Sequence, residues 1–287
     1  MRPLKTLLTV GGALAAYSTL IEPRSFRLQQ HRLEVRPELP KLRILHLGDA
    51  HVRGREMPVL GFLRSLPELL GREPDVTVFT GDLIDGNRGI EPAVEALNQV
   101  PARLGRFFVL GSHDYWAPKF ESYLKYFTGN KERIRPRHVD TDRLRAGLEA
   151  AGWIDLTNRD HVVADGERRI RLSGVDDPYL KRHRLGHVRR GAEDLAIGVM
   201  HSPDLTSQWA LEGFDLILGG HTHGGQVRIP LVGALTTNSS LPNRLACGPF
   251  RIGDAWLHVT PGLGTGPYAR IRFNCPPEAT LLELAPA

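Results

Sequence analysis

Cysteine is nearly absent from the sequence. Only Cys247 and Cys275 occur among 287 residues, which excludes a small domain held by several disulfide bonds and a zinc module built on cysteine. The two positions do not have the spacing of a redox pair. Histidine is more plentiful, with 12 residues. Any bound metal must therefore be held by nitrogen and oxygen atoms rather than by sulfur.

The sequence also lacks an apolar run of the usual membrane-spanning length. Residues 6–21 carry no charge, but such a run falls just short of the roughly 17–25 residues that cross a bilayer. Arg2 and Lys5 precede it, and residues 13–15 resemble a signal-peptide cleavage site. Residues 1–30 are therefore interpreted as a signal peptide or an uncleaved membrane anchor. A buried or interfacial helix is the remaining alternative.

Membrane association through this N-terminal segment is the resulting expectation. The basic residues Arg2 and Lys5 weakly favour an N-terminus inside the cell, which would place the body of the protein outside. Arg24 and Arg27 follow closely and blur this asymmetry. A cytoplasmic location is the alternative.

No strong excess of one charge is present either. The 37 lysines and arginines against 32 aspartates and glutamates give a net charge of +5. This balance suits a membrane surface or a phosphorylated substrate, and no nucleic-acid partner is expected. Because no linker or internal repeat is visible, we expect one domain over residues 40–287.

After residue 40, short apolar runs repeatedly end in glycine and polar residues. Such runs predict strands buried on both faces, and helical patterns between them predict an α/β fold. In such folds, functional sites form beyond the carboxyl ends of the strands. The five runs that precede polar clusters are 42–47, 76–80, 107–110, 195–200 and 216–218, with further strands near 169–172, 256–259 and 280–284 and helices over 58–70, 90–97, 142–151 and 203–211.

Residues 116–139 form the least regular stretch, in which basic and aromatic residues are interleaved. A solvated helix and loop is one interpretation. The other is a basic, aromatic lid beside the site that contacts an anionic or lipid-like substrate.

The polar clusters at the strand ends carry side chains suited to metal binding. Asp49 and His51 can turn toward one point where the backbone leaves its strand, and Gly81 permits a sharp turn that leaves Asp82 free to reach inward. Asp85 is expected to brace that loop. Each cluster alone has little weight, but the ordered set indicates a metal site. The remaining clusters are Gly111-Ser112-His113-Asp114, His201 and Gly220-His221-Thr222-His223.

This ordered set resembles the calcineurin-like metallophosphoesterase superfamily, from about residue 42 to the C-terminus. Residues 174–178, 262–265 and 277–278 are also similar to its membrane-anchored bacterial branch. The resemblance implies a four-layer αββα sandwich with a dinuclear metal site at the C-terminal ends of the strands.

Seven ligands for two divalent ions follow from the resemblance, with one carboxylate shared between the ions. A shared anion offsets the repulsion between cations ~3.5–4 Å apart, and the pair can clamp a phosphate and a hydroxide together. The implied ligands are Asp49, His51, Asp82 and His223 for one ion, and Asp82, Ser112, His201 and His221 for the other.

The resemblance also implies the groups that move protons. His113 matches the family's catalytic histidine, which would donate to a phosphoryl oxygen or protonate the leaving alkoxide. Asp114 would orient His113.

Ser112 departs from the family pattern, which has asparagine at that position. A hydroxyl is a poorer neutral donor than an amide carbonyl and reaches less far, so the second ion is expected to bind more weakly or through a water molecule. Mixed imidazole and carboxylate ligands favour Mn²⁺ first, and then Fe, Zn or Co.

The function expected on this basis is a metal-dependent phosphoesterase. It would hydrolyse a phosphomonoester, phosphodiester or pyrophosphate by attack of a metal-bound hydroxide, on a small-molecule or lipid-linked substrate near a membrane. A soluble cyclic nucleotide or generic phosphodiesterase is the alternative. A non-catalytic metal-binding module has support only from Ser112. A metallo-β-lactamase type is disfavoured because Gly224 and Gly225, and not an Asp-His pair, follow His223.

Overall fold

The computed structural model describes residues 2–55, 57–118 and 137–286. Most of the predicted lid, 119–136, lies outside the described residues. Its two ends are described, because strand β5 (Trp116–Ala117) pairs antiparallel with strand β6 (Arg137–His138).

Two six-stranded sheets form the centre of the molecule. The first has the order β1-β16-β2-β3-β4-β7, and the second has the order β14-β15-β11-β10-β9-β8. The strands of the first sheet are β1 (Arg27–Val35), β2 (Leu42–Leu47), β3 (Val76–Phe79), β4 (Gly105–Phe108), β7 (Trp153–Asp155) and β16 (Glu278–Pro286). Those of the second are β8 (Arg159–Asp165), β9 (Arg168–Gly174), β10 (Leu195–Val199), β11 (Leu216–Gly219), β14 (Gly248–Ile252) and β15 (Ala255–Val259).

Most neighbouring strands run parallel. In the first sheet only the β16–β2 pair is antiparallel, and in the second the two edge pairs, β14–β15 and β8–β9, are antiparallel. A small antiparallel ribbon joins β12 (Arg228–Ile229) to β13 (Gly233–Ala234). The parallel centres of both sheets bring the carboxyl ends of β2, β3, β4, β10 and β11 to the region where the polar clusters lie.

Helices cover the outer faces of both sheets. The helices α2 (Pro58–Leu70), α3 (Ile90–Leu97) and α4 (Thr141–Ala150) bury their apolar faces on the first sheet, and α5 (Thr206–Leu211) packs on the second. A third apolar cluster fills the space between the sheets, with Ile44 and Val78 from one and Ile197 and Leu218 from the other. These layers confirm the predicted αββα sandwich.

Close packing on the second sheet depends on a glycine. A β carbon at Gly198 would lie 1.9 Å from Cε3 of Trp209, which is fully buried on α5. The glycine therefore lets the indole ring lie directly on the sheet, where removal of such a ring typically costs about 3–5 kcal/mol.

The N-terminal segment is joined to the body of the protein. Helix α1 (Arg2–Ala16) continues through a π-helical turn (Tyr17–Ile21) and a 3₁₀ turn (Glu22–Arg24) into β1. The Glu22 carboxylate accepts hydrogen bonds from the backbone N–H groups of Asn274 and Cys275. None of the helices in the described ranges combines the length and apolar character needed to cross a membrane.

Strand β1 is an element that the sequence analysis did not predict. Its nine residues pair in parallel with all nine residues of β16, from Arg27 opposite Glu278 to Val35 opposite Pro286. Residues 27–35 are therefore part of the first sheet, although the strand begins inside residues 1–30, the segment interpreted as a signal peptide or anchor.

Candidate metal centre

The loops that leave β2 and β3 are hydrogen-bonded to each other. Asp49 N donates to the Gly81 carbonyl at 2.9 Å, and His51 N donates to the Asp82 carbonyl at 3.1 Å. These bonds hold three candidate ligands on neighbouring turns. The loop after β4 joins them, because His113 N donates to Asp82 Oδ1 at 2.8 Å.

Five of the candidate ligands have a left-handed backbone. The φ angles are 51° for Asp49, 49° for His51, 54° for Asp82, 68° for His221 and 50° for His223. Residues other than glycine rarely adopt this conformation, which costs of order 1–3 kcal/mol when the surrounding structure imposes it. Strain concentrated at five polar residues in one region points to a functional site.

The first group of donors consists of Asp49, His51 and His223, whose ligand atoms all lie within 4.8 Å of one another. His223 Nε2 lies 3.0 Å from His51 Nε2 and 3.5 Å from Asp49 Oδ1. Asp49 and His51 are almost fully buried. The group corresponds to three of the four residues predicted for one ion.

The second group consists of Asp82, His201 and His221, again within 4.8 Å. His201 Nε2 lies 3.4 Å from Asp82 Oδ2 and 3.2 Å from His221 Nδ1. The same Asp82 oxygen is 3.9 Å from His51 Nε2 of the first group. Asp82 thus stands between the two groups, where a bridging carboxylate is expected.

Hydrogen bonds at the far side of each ring fix which nitrogen faces the second group's centre. His201 Nδ1 donates to the Thr80 carbonyl at 2.7 Å, and His221 Nε2 donates to the Asn238 carbonyl at 3.0 Å. When both rings are neutral, their other nitrogens therefore present lone pairs to each other. Two lone pairs at this distance repel unless a proton or a metal ion lies between them, so the donor set fits a divalent metal.

The charges of the second group support the same conclusion. Burial opposes ionisation of Asp82, but the neighbouring His201 and His113 outweigh it and hold the pKa of Asp82 well below its usual range. Burial disfavours the charged form of His201, yet Asp82 raises its pKa well above the usual value. Without metal, a proton on His201 balances this carboxylate, and a metal ion would take over that role.

The histidines of the sequence motif His-x-His remain neutral donors. Burial, together with the charge of His201, lowers the pKa of His221 to about 4. Burial and the charge of His51 lower the pKa of His223 well below its usual value. Neutral imidazoles are the form that binds metal.

Ser112 begins a 3₁₀ turn (Ser112–Asp114) and is half-buried between two residues that pack on the centre. One is His113, bonded to Asp82 through its backbone. The other is Gly111, where a β carbon would lie 2.4 Å from Asp82 Oδ1 and 2.8 Å from His201 Cε1. Ligation by Ser112 stays a prediction.

Asp85, and not Asp114, holds the His113 ring. Asp85 Oδ1 accepts from His113 Nδ1 at 2.7 Å and from His51 Nδ1 at 2.8 Å. The Asp114 carboxylate instead accepts from the backbone N–H groups of Leu83, Ile84 and Gly111. The role predicted for Asp114 is therefore corrected: it anchors the loops on which the site is built.

The pKa of His113 suits a proton donor. Burial disfavours its charged form, but the Asp82 charge and the Asp85 hydrogen bond outweigh this and raise the pKa to about 9. The ring is 27% exposed. With Nδ1 bound to Asp85, the protonated ring has Nε2 free to donate.

Residues 177 and 179 are neighbours of the centre that the sequence analysis did not assign. Asp177 is fully buried, and burial raises its pKa to about 6, with its charge interacting with His201 and Asp82. The Tyr179 ring lies 4.8 Å from the His221 ring and is 54% exposed. In the sequence, only the resemblance of residues 174–178 to relatives indicated this loop. No sequence pattern indicated Asn238, which orients His221 through its backbone carbonyl.

Comparison with known proteins agrees with the geometry. Residues 42–225 match the family model described as calcineurin-like phosphoesterase. The chain is 28% identical over 272 residues to phosphodiesterase YaeI of Escherichia coli, covering 93% of this chain and 92% of the relative. It is 29% identical over 251 residues to a bovine transmembrane protein with metallophosphoesterase domain, where it covers 81% of this chain but 50% of the relative.

Among solved structures, Haemophilus influenzae NAD nucleotidase superposes with a TM-score of 0.48 at 12% identity, over 78% of this chain and 46% of that chain.

The segment matched by the family model, residues 42–225, contains all the strand-end motifs. The predicted resemblance is thus confirmed: the chain belongs to the calcineurin-like phosphoesterase family and is a metal-dependent phosphoester hydrolase.

Proposed function

We propose that the chain hydrolyses a phosphodiester or pyrophosphate bond in an amphiphilic, lipid-linked substrate at a membrane surface. The two neighbouring donor groups, with Asp82 standing between them, support the hydrolytic part. We assign Asp49, His51, Asp82 and His223 to one ion and Asp82, His201, His221 and Ser112 to the other, with Mn²⁺ as the preferred metal and Fe, Zn or Co as alternatives. Two such cations, when bound, would neutralise phosphoryl oxygens and lower the pKa of water.

His113 is the proton donor in this proposal. Its ring is partly exposed, and Asp85 holds Nδ1. The protonated ring would donate to a phosphoryl oxygen, where negative charge develops, or to the departing alkoxide. Since Asp85 also binds His51, one carboxylate sets the relative positions of the proton donor and a metal ligand.

An adjoining cavity supports the amphiphilic substrate. It has a volume of about 550 Å³ and combines four arginines with apolar side chains. Arg53 links the cavity to the centre, because its Nη1 donates to Asp85 Oδ2 at 3.1 Å. Such a lining suits an anionic group attached to an apolar chain. The residues concerned are Arg24, Arg53, Arg55 and Arg270, with Phe26, Met57, Val59 and Leu263.

The segment that leads into this cavity supports the membrane part. Thr19 and Pro23, which follow α1, line the cavity, and the helix before them exposes apolar side chains. Val10 and Leu14 on α1 are 51% and 47% exposed, and Leu20 in the turn after it is 59% exposed. An exposed apolar helix beside basic residues is typical of a segment that lies in a membrane interface. The substrate-binding cavity would then open close to the lipid.

Hydrolysis of a soluble probe tests the catalytic proposal. The full chain, freed of metal and reloaded with Mn²⁺, should hydrolyse bis-p-nitrophenyl phosphate, and Asp82→Ala and His113→Ala should each lower kcat by about 10²-fold or more. The absence of hydrolysis by the folded protein with Mn²⁺, Fe²⁺, Zn²⁺ and Co²⁺ would contradict it.

Substrate preference is tested with a pair of pyrophosphate esters that differ only in a diacyl chain. The acylated ester in mixed micelles should have the higher kcat/KM, and Arg55→Ala should lower that value while leaving bis-p-nitrophenyl phosphate hydrolysis unchanged. Arg251→Ala, at an exposed arginine on the edge strand β14, is the matched control. Equal kcat/KM for both esters would instead favour the soluble phosphodiesterase.

A further inference from the structure

A second cluster of possible metal ligands lies outside the centre, where the edge of the first sheet meets the second sheet. His31 is on β1, Glu278 begins β16, and His258 is on β15. One ligand atom from each lies within 4.8 Å of the other two. The family resemblance assigns no role to any of these residues.

Hydrogen bonds fix the proton positions on two buried imidazoles of this region. Thr80 Oγ1 donates to the Leu47 carbonyl at 3.2 Å, so it accepts from His46 Nε2 at 3.1 Å. His46 Nδ1 is then an acceptor, and it receives the proton of His258 Nδ1 at 2.7 Å. His258 Nε2 is left with a lone pair.

That lone pair has no partner within the described residues, although His258 is fully buried. A buried acceptor without a partner costs about 1–3 kcal/mol. Because Nδ1 carries the proton that goes to His46, the lone pair of Nε2 is open to another electron-pair acceptor.

The neighbours supply the remaining donors of a zinc-type site. His31 is half-buried and contributes a second imidazole. Glu278 is buried and held in place by Arg27 Nη2 at 2.8 Å and by the Thr280 hydroxyl at 2.8 Å. Oε2 faces both Nε and Nη2 of Arg27, whereas Oε1 accepts from the Thr280 hydroxyl only and still has a lone pair. Two imidazoles and one carboxylate, with water in a fourth position, form a ligand set typical of Zn²⁺.

Access and charge restrict the occupant. His31 and Glu278 line a cavity of about 390 Å³ through which an ion can enter. The Arg27 cation, paired with Glu278, opposes a second cation nearby. This repulsion acts on any divalent cation, so a bound ion must draw its affinity from the two imidazoles. Mg²⁺ and Ca²⁺ bind imidazole weakly, whereas Zn²⁺ and similar transition metals bind it strongly.

We propose that His31, His258 and Glu278 form a third metal site, which takes Zn²⁺ or a similar transition-metal ion and ties the first sheet to the second. Two ligands come from neighbouring strands of the first sheet and one from the second sheet. The ion would thus be a structural cross-link between the two layers. This site is separate from the proposed catalytic centre and does not depend on its activity.

The test measures metal content in the full chain. Wild-type protein and His31→Ala are stripped with a chelator, reloaded with Zn²⁺ and passed through a desalting column before elemental analysis. We expect the variant to hold one Zn²⁺ fewer per chain than wild type. Because the result is a difference between variants, it does not depend on how many ions the catalytic centre retains.

His161→Ala is the matched control, since His161 is also a half-buried histidine on an edge strand, β8 of the second sheet. It should keep the wild-type zinc content. Glu278→Gln, which preserves side-chain size, gives a second variant that should lose the same ion if His31→Ala does not fold. Equal zinc content in wild type and the folded His31 or Glu278 variant would overturn the proposal.

Stability provides a second measurement. Zn²⁺ should raise the Tm of wild type and of His161→Ala by more than that of His31→Ala, because only the first two have the cross-link. The same Zn²⁺-dependent increase in all three proteins would also overturn the proposal.

Discussion

Replacing Asp85 with asparagine tests how His113 is kept protonated. In the structure, Asp85 Oδ1 accepts from His113 Nδ1 at 2.7 Å, and this contact together with the Asp82 charge raises the pKa of His113 to about 9. An asparagine keeps the shape and one acceptor but removes the negative charge. A hydrogen bond to a charged group contributes about 1.5–3 kcal/mol, against about 0.5–1.5 kcal/mol for a neutral one.

The difference of roughly 1–2 kcal/mol corresponds to about 1 pH unit, since one unit is 1.36 kcal/mol. The raised pKa means that His113 can donate a proton below that pKa and loses the proton as the pH rises through it. We therefore expect the alkaline limb of kcat/KM to move down by about 1 pH unit in Asp85→Asn. Bound metals move this alkaline limb to lower pH in both wild type and Asp85→Asn. The result is therefore the difference in limb position between the two proteins.

The assay is the pH dependence of bis-p-nitrophenyl phosphate hydrolysis at saturating Mn²⁺. Asp85→Asn also loosens His51, so the height of the profile falls as well, but the position of the limb reports on His113. Asp114→Asn is the control, because the Asp114 carboxylate contacts backbone N–H groups. It should lower stability and leave the limb in place. A limb that moves in Asp114→Asn and not in Asp85→Asn would refute the assignment.

Three further outcomes are expected. Gly111→Ala should weaken binding of the second ion by about 10–100-fold in a metal titration. The added β carbon would overlap Asp82 Oδ1 and His201 Cε1, and overpacking costs about 1–3 kcal/mol. Unchanged affinity would show that the loop adapts. Ser112→Asn should tighten the same ion, and equal affinity for wild type and variant would count against a ligand role at this position. Leu14→Glu should reduce co-sedimentation with anionic lipid vesicles while bis-p-nitrophenyl phosphate hydrolysis stays the same, and undiminished co-sedimentation would mean that α1 does not contact lipid.

The sequence predicted most of the central strands because their apolar runs are continuous. Runs such as 42–47 and 195–200 are buried on both faces, and this pattern does not depend on knowing the neighbouring strands. Strand β1 was not predicted from the sequence because its residues are mostly polar. It is an edge strand with one exposed side, and its pairing with β16 involves residues some 250 positions away. No local pattern carries that information.

The sequence motifs predicted which donor residues lie close together, but not the contacts that they make. Motif order pointed to the residues around Asp82, yet the sequence could not show that Asp85 binds two imidazoles at once. Cys247 and Cys275 illustrate the same limit. A β carbon at Gly224 would lie 2.6 Å from Cys275 Sγ and 3.2 Å from Cys247 Sγ, so the cysteines are neighbours although 27 residues separate them in sequence.

The position of β16 determines when the first sheet can form during synthesis. This strand, at residues 278–286, lies between β1 and β2, which are at residues 27–35 and 42–47. A nascent chain that has not reached residue 278 has no partner for β1, and its β2 has an unpaired edge. Since domains fold as units and long-range strand pairing is slow, β1 must remain without β16 until residues 278–286 have left the ribosome. If α1 binds a membrane, it would reach the lipid before the sheet that anchors it has formed.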